Sequence, residues 1–551
     1  MYKTLPILAL SLLALASCHS QSEQYDASTL DSAALAAISE TTYRNYVTEL
    51  SSDDFLGRKP FTKGDTLAVQ YIEKQFKDLG LAPGNGDSYF QEVPMVQIDA
   101  KPTNNTWTFS GAKGQVNARY LDDFVIGSPQ LNEQIQVSDS ELVFVGFGIV
   151  APEFDWNDYA DVDVKGKTVV AMISDPGRYD KNLFKADTMT YYGRWTYKYE
   201  EAARQGAAGV ILIHETDAAS YGWNVVRSGW SGPQLSLVPQ ENAQNVQFQS
   251  WITTPIADQL FAISTIDAGA MEDAKKPGFK AREMGVKTGV TLQNKIRKST
   301  SNNVIAQLKG TKRPDEVIIY TAHWDHLGVG EATDGDSIFN GAIDNAAGVA
   351  ALFEIAKAFQ AAKVQPERTI VFMAVTAEEE GLLGSQYYTE HPIFPLDKTV
   401  GNLNMDAFNA VGATKGVSIV GRGQTELEDV VARSAAKFDR VIVDSGNPSS
   451  GGFYRSDHFN FVKQGVPGLF MGSGGDYLET DTVALNKRKE ALAGTYHTVH
   501  DEINEHWDLT GILADIRLFF DIGYSLSMDT AFPNFKSKSE FKELGDKRLS
   551  K

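Results

Sequence analysis

The chain has 551 residues, of which 42% are hydrophobic and 22% charged, and its 51 Lys+Arg against 71 Asp+Glu leave a formal charge of −20. That length is more than one ordinary core accommodates, so two folded units are expected, and the acidic balance without any basic run excludes a nucleic-acid partner. With a single cysteine, Cys18, no internal disulfide is available, and stability must come from packing or metal.

The chain opens with Lys3 and an apolar run, Leu5 to Ser17, too short to span a bilayer and ending in Leu15-Ala16-Ser17-Cys18. This resembles a bacterial lipoprotein signal. The resemblance implies a signal peptide over 1–17, lipidation of Cys18 and export to the cell envelope, with the anchor in the outer membrane and the protein facing the periplasm or the surface. Residues 18–30 are polar and read as a tether.

Residues 31–117 form the first part of the main unit. Asp31 to Leu56 reads as a helix ending at Ser51-Ser52-Asp53-Asp54-Phe55-Leu56-Gly57-Arg58. A second helix follows, with Asp65 as its N-cap, Val69, Ile72, Phe76 and Leu79 on one face and Gly80 as its stop, and Tyr89 to Ile98 reads as a strand. Over 118–288 the texture changes to short β-like runs rich in aromatics. Gly146-Phe147-Gly148 weakly matches a dinucleotide fingerprint, but Pro152 and Phe154-Asp155-Trp156 stand where a phosphate-binding helix would continue, so that reading is rejected. The order VGFGI strand, KGK strand, then a helix ending in GAAGV resembles a protease-associated domain inserted in the chain.

From Asn303 strands and helices alternate, which predicts an α/β unit with a parallel sheet over 289–530. The β-branched run Val317-Ile318-Ile319-Tyr320 delivers His323, Asp325 and His326 just past its end. A Gly- and Asp-rich loop then leads to Asp344 and to a helix with Val349, Leu352, Phe353, Ala356 and Phe359 on one face. Thr369 to Thr376 ends at Glu378-Glu379-Glu380, and Val400 to Met405 ends at Asp406. A loop, Tyr496-His497-Thr498-Val499-His500-Asp501, adds another histidine, and a stripe from Leu509 to Phe520 closes the core. The charged residues 531–551 read as a loose tail.

One acid or histidine at a strand end is ordinarily a solvated loop residue. Several together differ, because parallel strands bring their carboxyl ends to one crevice, where mutually repelling carboxylates are hard to hold without cations. Nitrogen and carboxylate donors without thiolate suit zinc, and two divalent ions can share one bridging carboxylate. The Glu378-Glu379 pair offers one residue for metal and one for the proton.

The motifs His323-Trp324-Asp325, Gly341-Ala342-Ile343-Asp344-Asn345, Ala377-Glu378-Glu379, Asn404-Met405-Asp406, Ser456-Asp457-His458 and Tyr496-His497-Thr498 resemble, in order, the co-catalytic di-zinc exopeptidases of metallopeptidase family twenty-eight. The resemblance implies a zinc exopeptidase fold: α/β, with a central mixed, mostly parallel sheet between helices and a small β-rich inserted domain. It implies two Zn²⁺ ions, one held by His323, Asp344 and Asp406 and the other by Asp344, Glu379 and His497. It further implies Glu378 as general base, Asp325 as the carboxylate orienting His323, Tyr496 as an oxyanion donor, and peptides as substrates, cleaved from the amino terminus.

His326, Glu380 and His500 stand close in sequence to these positions but match no ligand of that pattern, and Asp457 and His458 are given no catalytic role. A glutamate-releasing carboxypeptidase or dipeptidase would need a cation for the substrate carboxylate, for which Arg455 is the candidate. A ligand-less receptor on the same fold conflicts with the complete donor set, a one-zinc glutaminyl cyclase is separable by metal stoichiometry, and a serine hydrolase lacks its G-x-S-x-G elbow.

Overall fold

A computed structural model describes residues 25–240 and 244–550. Cys18 and the signal and lipidation expectations lie outside the described residues.

The main sheet runs in the order Phe90–Pro102, Arg282–Leu308, Arg368–Val375, Arg313–His323, Thr399–Asn404, Gly468–Ser473, Gly416–Ile419, Val441–Val443. Arg313–His323 pairs in parallel with both neighbours, and the antiparallel contacts lie outward, so the sheet is mixed and mostly parallel. The central strands are apolar on both faces because both are covered. Ile318, Tyr320 and Ala322 pack with the helices Ala347–Ala361 and Leu509–Met528. Val317 and Ile319 turn to Tyr388 and Phe461, on the helices Leu383–Glu390 and His458–Lys463 of the opposite face.

Ala347–Ala361 is buried along nearly its whole length and carries Glu354 at 0% exposure. That charge is satisfied by Ser39 N–H at 2.8 Å, the Thr42 hydroxyl at 2.6 Å and Lys357 Nζ at 2.9 Å, which ties the amino-terminal helices to the sheet.

Several local expectations are revised. The first helix is two, Ser32–Ala37 and Glu40–Leu50, because Asp31 and Ser39 each cap a separate start. Thr62, not Asp65, is the N-cap of Lys63–Asp78; Asp65 sits within the first turn and accepts the Phe61 N–H at 3.0 Å. Val304 to Leu308, where the alternation of strands and helices begins, is the end of a 27-residue strand, Arg282–Leu308. Its middle pairs in 13-residue register with Phe90–Pro102, and its beginning pairs with Gln134–Phe144, so one ribbon links the main sheet to the β-rich unit.

That unit stacks Gln134–Phe144, Thr168–Met172, Gly209–His214 and Phe248–Thr253 in parallel. Its apolar cluster includes Trp107, Phe109 and Val116, so the packing of the insert begins before residue 118. Residues 531–550 are not loose: Phe535 and Phe541 are buried, and Lys542–Leu549 is a helix. From that helix Arg548 donates to the Gly465 and Thr399 carbonyls at 2.6 and 2.8 Å. Its high charge content misleads because two buried aromatics, Phe535 and Phe541, and one buried guanidinium suffice to dock so short a segment.

Candidate metal centre

His323 is the last residue of the central strand, paired with Val375, so its direction is set by the sheet. Its Nδ1–H donates to the Asp325 main-chain oxygen at 3.1 Å, leaving Nε2 facing Asp344 Oδ1 at 3.0 Å and Asp406 Oδ1 at 3.3 Å. The Asp325 carboxylate lies farther from the ring, at 3.8 Å. It accepts instead the main-chain N–H groups of Glu378 and Glu379 at 3.0 and 3.3 Å. Its orienting effect on His323 thus passes through the main chain, while its side chain positions the glutamate pair.

Asp344 lies in the loop before Ala347–Ala361, after Gly341, whose φ of +56° requires the left-handed region. Asp501 fixes that loop by accepting from Ile343 N–H at 2.9 Å and Asp344 N–H at 3.0 Å. Asn345 then bonds the Met405 carbonyl at 2.9 Å, joining the Asp344 loop to the strand end that carries Asp406. Asp406 is held from the other side by the Ser456 hydroxyl, 2.6 Å from Oδ2. His497 brings its Nε2 to 3.0 Å from both Asp344 Oδ2 and Glu379 Oε2.

The two oxygens of Asp344 therefore face two different histidines. Donor atoms of His323, Asp344 and Asp406 form one group, and those of His326, Asp344, Glu379 and His497 form a second, each within 4.8 Å. Among the described residues no lysine or arginine pairs with Asp344, Glu378, Glu379 or Asp406; the ion-pair partners of Asp344, Glu379 and Asp406 are histidines. Burial opposes a charge on His323, but Glu378 and Asp406 outweigh it and hold the ring well above its ordinary pKa. The same contest raises His497 to about 10, with Asp344 and Glu379 prevailing over burial. Burial first, and then Asp406 and Glu379 against the counteracting His323, lift Glu378 well above the usual carboxylate range. Carboxylates that draw protons onto histidines in this way fit a site for divalent cations, because a cation replaces those protons. The hard oxygen and imidazole donors fit zinc.

Tyr496 is 62% exposed, with its ring stacked on His497 at 3.9 Å and 15°. Burial around its hydroxyl, followed by the Asp344, Glu379 and Glu378 charges, keeps that hydroxyl protonated. Beside it lies a cavity of about 220 Å³, whose apolar lining includes Ile343, Phe408, Val411, Leu492 and Trp507.

Other sequence candidates fall outside the cluster. Glu380 pairs with Lys59 at 3.1 Å, and His500 lies at the rim, 3.5 Å from Asp334. Asp457 accepts the Ser385 hydroxyl at 2.6 Å, and burial lifts its carboxyl to about 7. His458 packs between Phe453 and Phe470, pushed down to about 3 by burial, which makes it a neutral core residue.

Two contributors escaped the sequence reading. Arg58 is 0% exposed and donates to the carbonyls of Trp324 at 2.7 Å, Asn340 at 2.6 Å, Gly341 at 2.8 Å and Leu50 at 2.9 Å. It pins the end of the central strand to the Asp344 loop, with its charge beneath the carboxylates; burial lowers it to about 10 against the pull of Asp501, Asp325 and Asp344. Asp501 is the other. Its only signal was its place in the His497 loop, and Arg58 had only the end of an early loop.

The family model described as Peptidase family M28 matches residues 303–520. Aminopeptidase NAALADL1 of Mus musculus is 27% identical over 271 residues, covering 45% of this chain and 33% of the relative. A probable glutamate carboxypeptidase AMP1 of Arabidopsis thaliana is 25% identical over 420 residues, covering 69% of this chain and 53% of the relative. The chain thus spans about a third to a half of the length of these curated relatives. Among solved structures, an aminopeptidase from Aneurinibacillus sp. strain AM-1 superposes with a TM-score of 0.51 at 20% identity, covering 91% of this chain and 97% of its own, which shows a shared fold.

Proposed function

We propose, from the match of residues 303–520 to the model described as Peptidase family M28, that the protein is a two-zinc exopeptidase that removes amino-terminal residues from peptides. The observation that carries the reading is the division of Asp344, with one oxygen at 3.0 Å from His323 and the other at 3.0 Å from His497. His323, Asp344 and Asp406 would hold one zinc, and Asp344, Glu379 and His497 the other. When bound, zinc supplies Lewis-acid polarisation of the scissile carbonyl and a lowered pKa for the attacking water.

The chain's own groups do the rest. Glu378 takes the proton of the attacking water and returns it to the departing amine, a transfer assisted by burial, which raises its carboxyl well above the usual carboxylate range. Tyr496 donates a hydrogen bond from its hydroxyl to the oxygen that gains charge as the carbonyl becomes tetrahedral. Asp325 fixes the backbone of both glutamates, and Asp501 and Arg58 fix the Asp344 loop. The cavity beside Tyr496 suits an apolar side chain of the substrate. The insert is proposed as a protease-associated domain, and Cys18 as a lipid anchor in the cell envelope.

A second reading, cleavage next to a free carboxylate in dipeptides or glutamate-terminated peptides, is favoured by one observation. Arg194 of the insert and Arg455 line the same small cavity, and neither has a carboxylate partner among the described residues. The deciding experiment is a panel of aminoacyl-nitroanilides, N-blocked peptides and C-amidated peptides, with and without chelator. Chelator-sensitive release from free amino termini, blocked by N-acylation, is expected. Hydrolysis that ignores the chelator would overturn the metal reading, and a requirement for a free C-terminal carboxylate would select the second one.

A further inference from the structure

Starting from that two-cation reading, we infer that His326 is a positioning residue for Glu379, holding one carboxylate oxygen so that the other is presented to the cation shared with Asp344 and His497. The sequence pattern set His326 aside. In the fold it is 1% exposed, with Nδ1 at 2.7 Å from Glu379 Oε1. The other oxygen of the same carboxylate, Oε2, is 3.0 Å from His497 Nε2. The two oxygens are therefore divided between two histidines, one on the strand end and one on the distant loop.

Three features make this an orienting contact. Among the described residues the other ring nitrogen of His326, Nε2, is buried with no hydrogen-bond partner, so Glu379 is the only one of them whose polar group the ring engages. Gly341 leaves the space the ring occupies: a Cβ there would stand 2.5 Å from His326 Cγ, so the ring is wedged against bare backbone. The His497 ring meets it edge-on at 5.6 Å and 69°, closing the remaining side. An Nδ1–H that donates to Glu379 has no lone pair to offer a cation, although His326 lies within 4.8 Å of the other donors. A charge-assisted donor of this kind fixes the carboxylate's rotation and its free oxygen, and losing such a partner typically costs a metal site 10- to 100-fold in affinity.

The test is zinc titration against a competing chelator on the full chain, with unfolding curves at saturating zinc as the folding control. His326→Leu fills the volume without a donor, and His326→Asn places an amide N–H near where Nδ1 stands. His326→Leu is expected to weaken one of two zinc ions by about 10- to 100-fold and leave the other unchanged. His326→Asn is expected to stay near wild type. In a Glu379→Gln background, His326→Leu is expected to add nothing. Wild-type zinc affinity in His326→Leu would overturn the inference, as would a His326→Asn variant as weak as His326→Leu. A variant-free check is long-range ¹H–¹⁵N spectroscopy of histidine-labelled, zinc-loaded protein. A protonated His326 Nδ1 supports the orienting role, whereas an unprotonated, metal-shifted nitrogen makes His326 a ligand and overturns it. Wild-type protein that binds no zinc would overturn the proposed function and this inference together, while the outcomes above overturn the inference alone.

Discussion

The Asp501 carboxylate accepts the main-chain N–H of Asp344 at 3.0 Å, so the loop that supplies His497 also fixes the loop that supplies Asp344. Two of the candidate metal donors are thereby set by one covalent segment, and their spacing is fixed by the fold.

Asp501→Ala is expected to leave the Ile343 and Asp344 N–H groups buried without an acceptor, at a cost of about 1–3 kcal/mol each. Urea unfolding should show a lower midpoint, and the purified variant should retain less zinc per chain. Full zinc content with unchanged stability would remove Asp501 from the architecture of the site.

Glu378→Gln keeps the volume and the Asp325-bonded main chain of the base position while removing its proton chemistry. Turnover is expected to fall by about 10²–10⁴-fold at unchanged zinc content. Near wild-type hydrolysis of aminoacyl-nitroanilides would take Glu378 out of the mechanism.

Arg58→Met retains apolar bulk but leaves four carbonyl oxygens without their buried cationic donor. Hydrogen bonds to charged groups are worth about 1.5–3 kcal/mol each, so losing several is expected to destabilise the fold by at least about 3 kcal/mol. Chemical denaturation of the metal-free and the zinc-loaded variant should show the loss in both forms, because Arg58 holds backbone and touches no donor atom. A loss confined to the loaded form would assign Arg58 to metal binding instead.

Metal removal should expose a pH dependence. In the metal-free protein His497 titrates at about 10 instead of 6.5, because Asp344 and Glu379 favour its charged form against burial. A histidine raised in this way stabilises the fold fully below about pH 6.5, and that contribution is lost as pH climbs toward 10. His323 is shifted in the same direction. Melting temperatures of chelator-treated protein should therefore fall between those pH values, less steeply in His497→Asn, whereas zinc-loaded protein should hold nearly level. An equal slope in His497→Asn would separate that residue from the effect.

The parallel centre of the fold was legible because Val317 to Tyr320 and Thr369 to Thr376 are runs of apolar and β-branched residues without alternation, the pattern of strands covered on both faces. The convergence of His323, Glu379 and Asp406 followed from parallel strands sharing a carboxyl edge, whereas His497, on a loop distant in sequence, entered the set only through the family resemblance. The long ribbon Arg282–Leu308 was not legible, since its mixed polar register resembles several short strands, and its continuity is set by pairing with Phe90–Pro102. The tail was misread for the converse reason: its charge content concealed Phe535, Phe541 and Arg548, whose burial depends on surfaces far off in sequence.

By itself the sequence determined which donor types leave the core and from which strand ends, because hydrophobic periodicity and residue chemistry are local properties written along the chain. Only the tertiary structure decided how those donors are held. Arg58 bonding carbonyls from three other segments, Asp501 accepting from Ile343 and Asp344, and His326 dividing the Glu379 carboxylate with His497 are contacts between distant parts of the chain. No local pattern encodes them, because each arises only when packing expels water and every buried polar group must find whichever partner the fold has placed beside it.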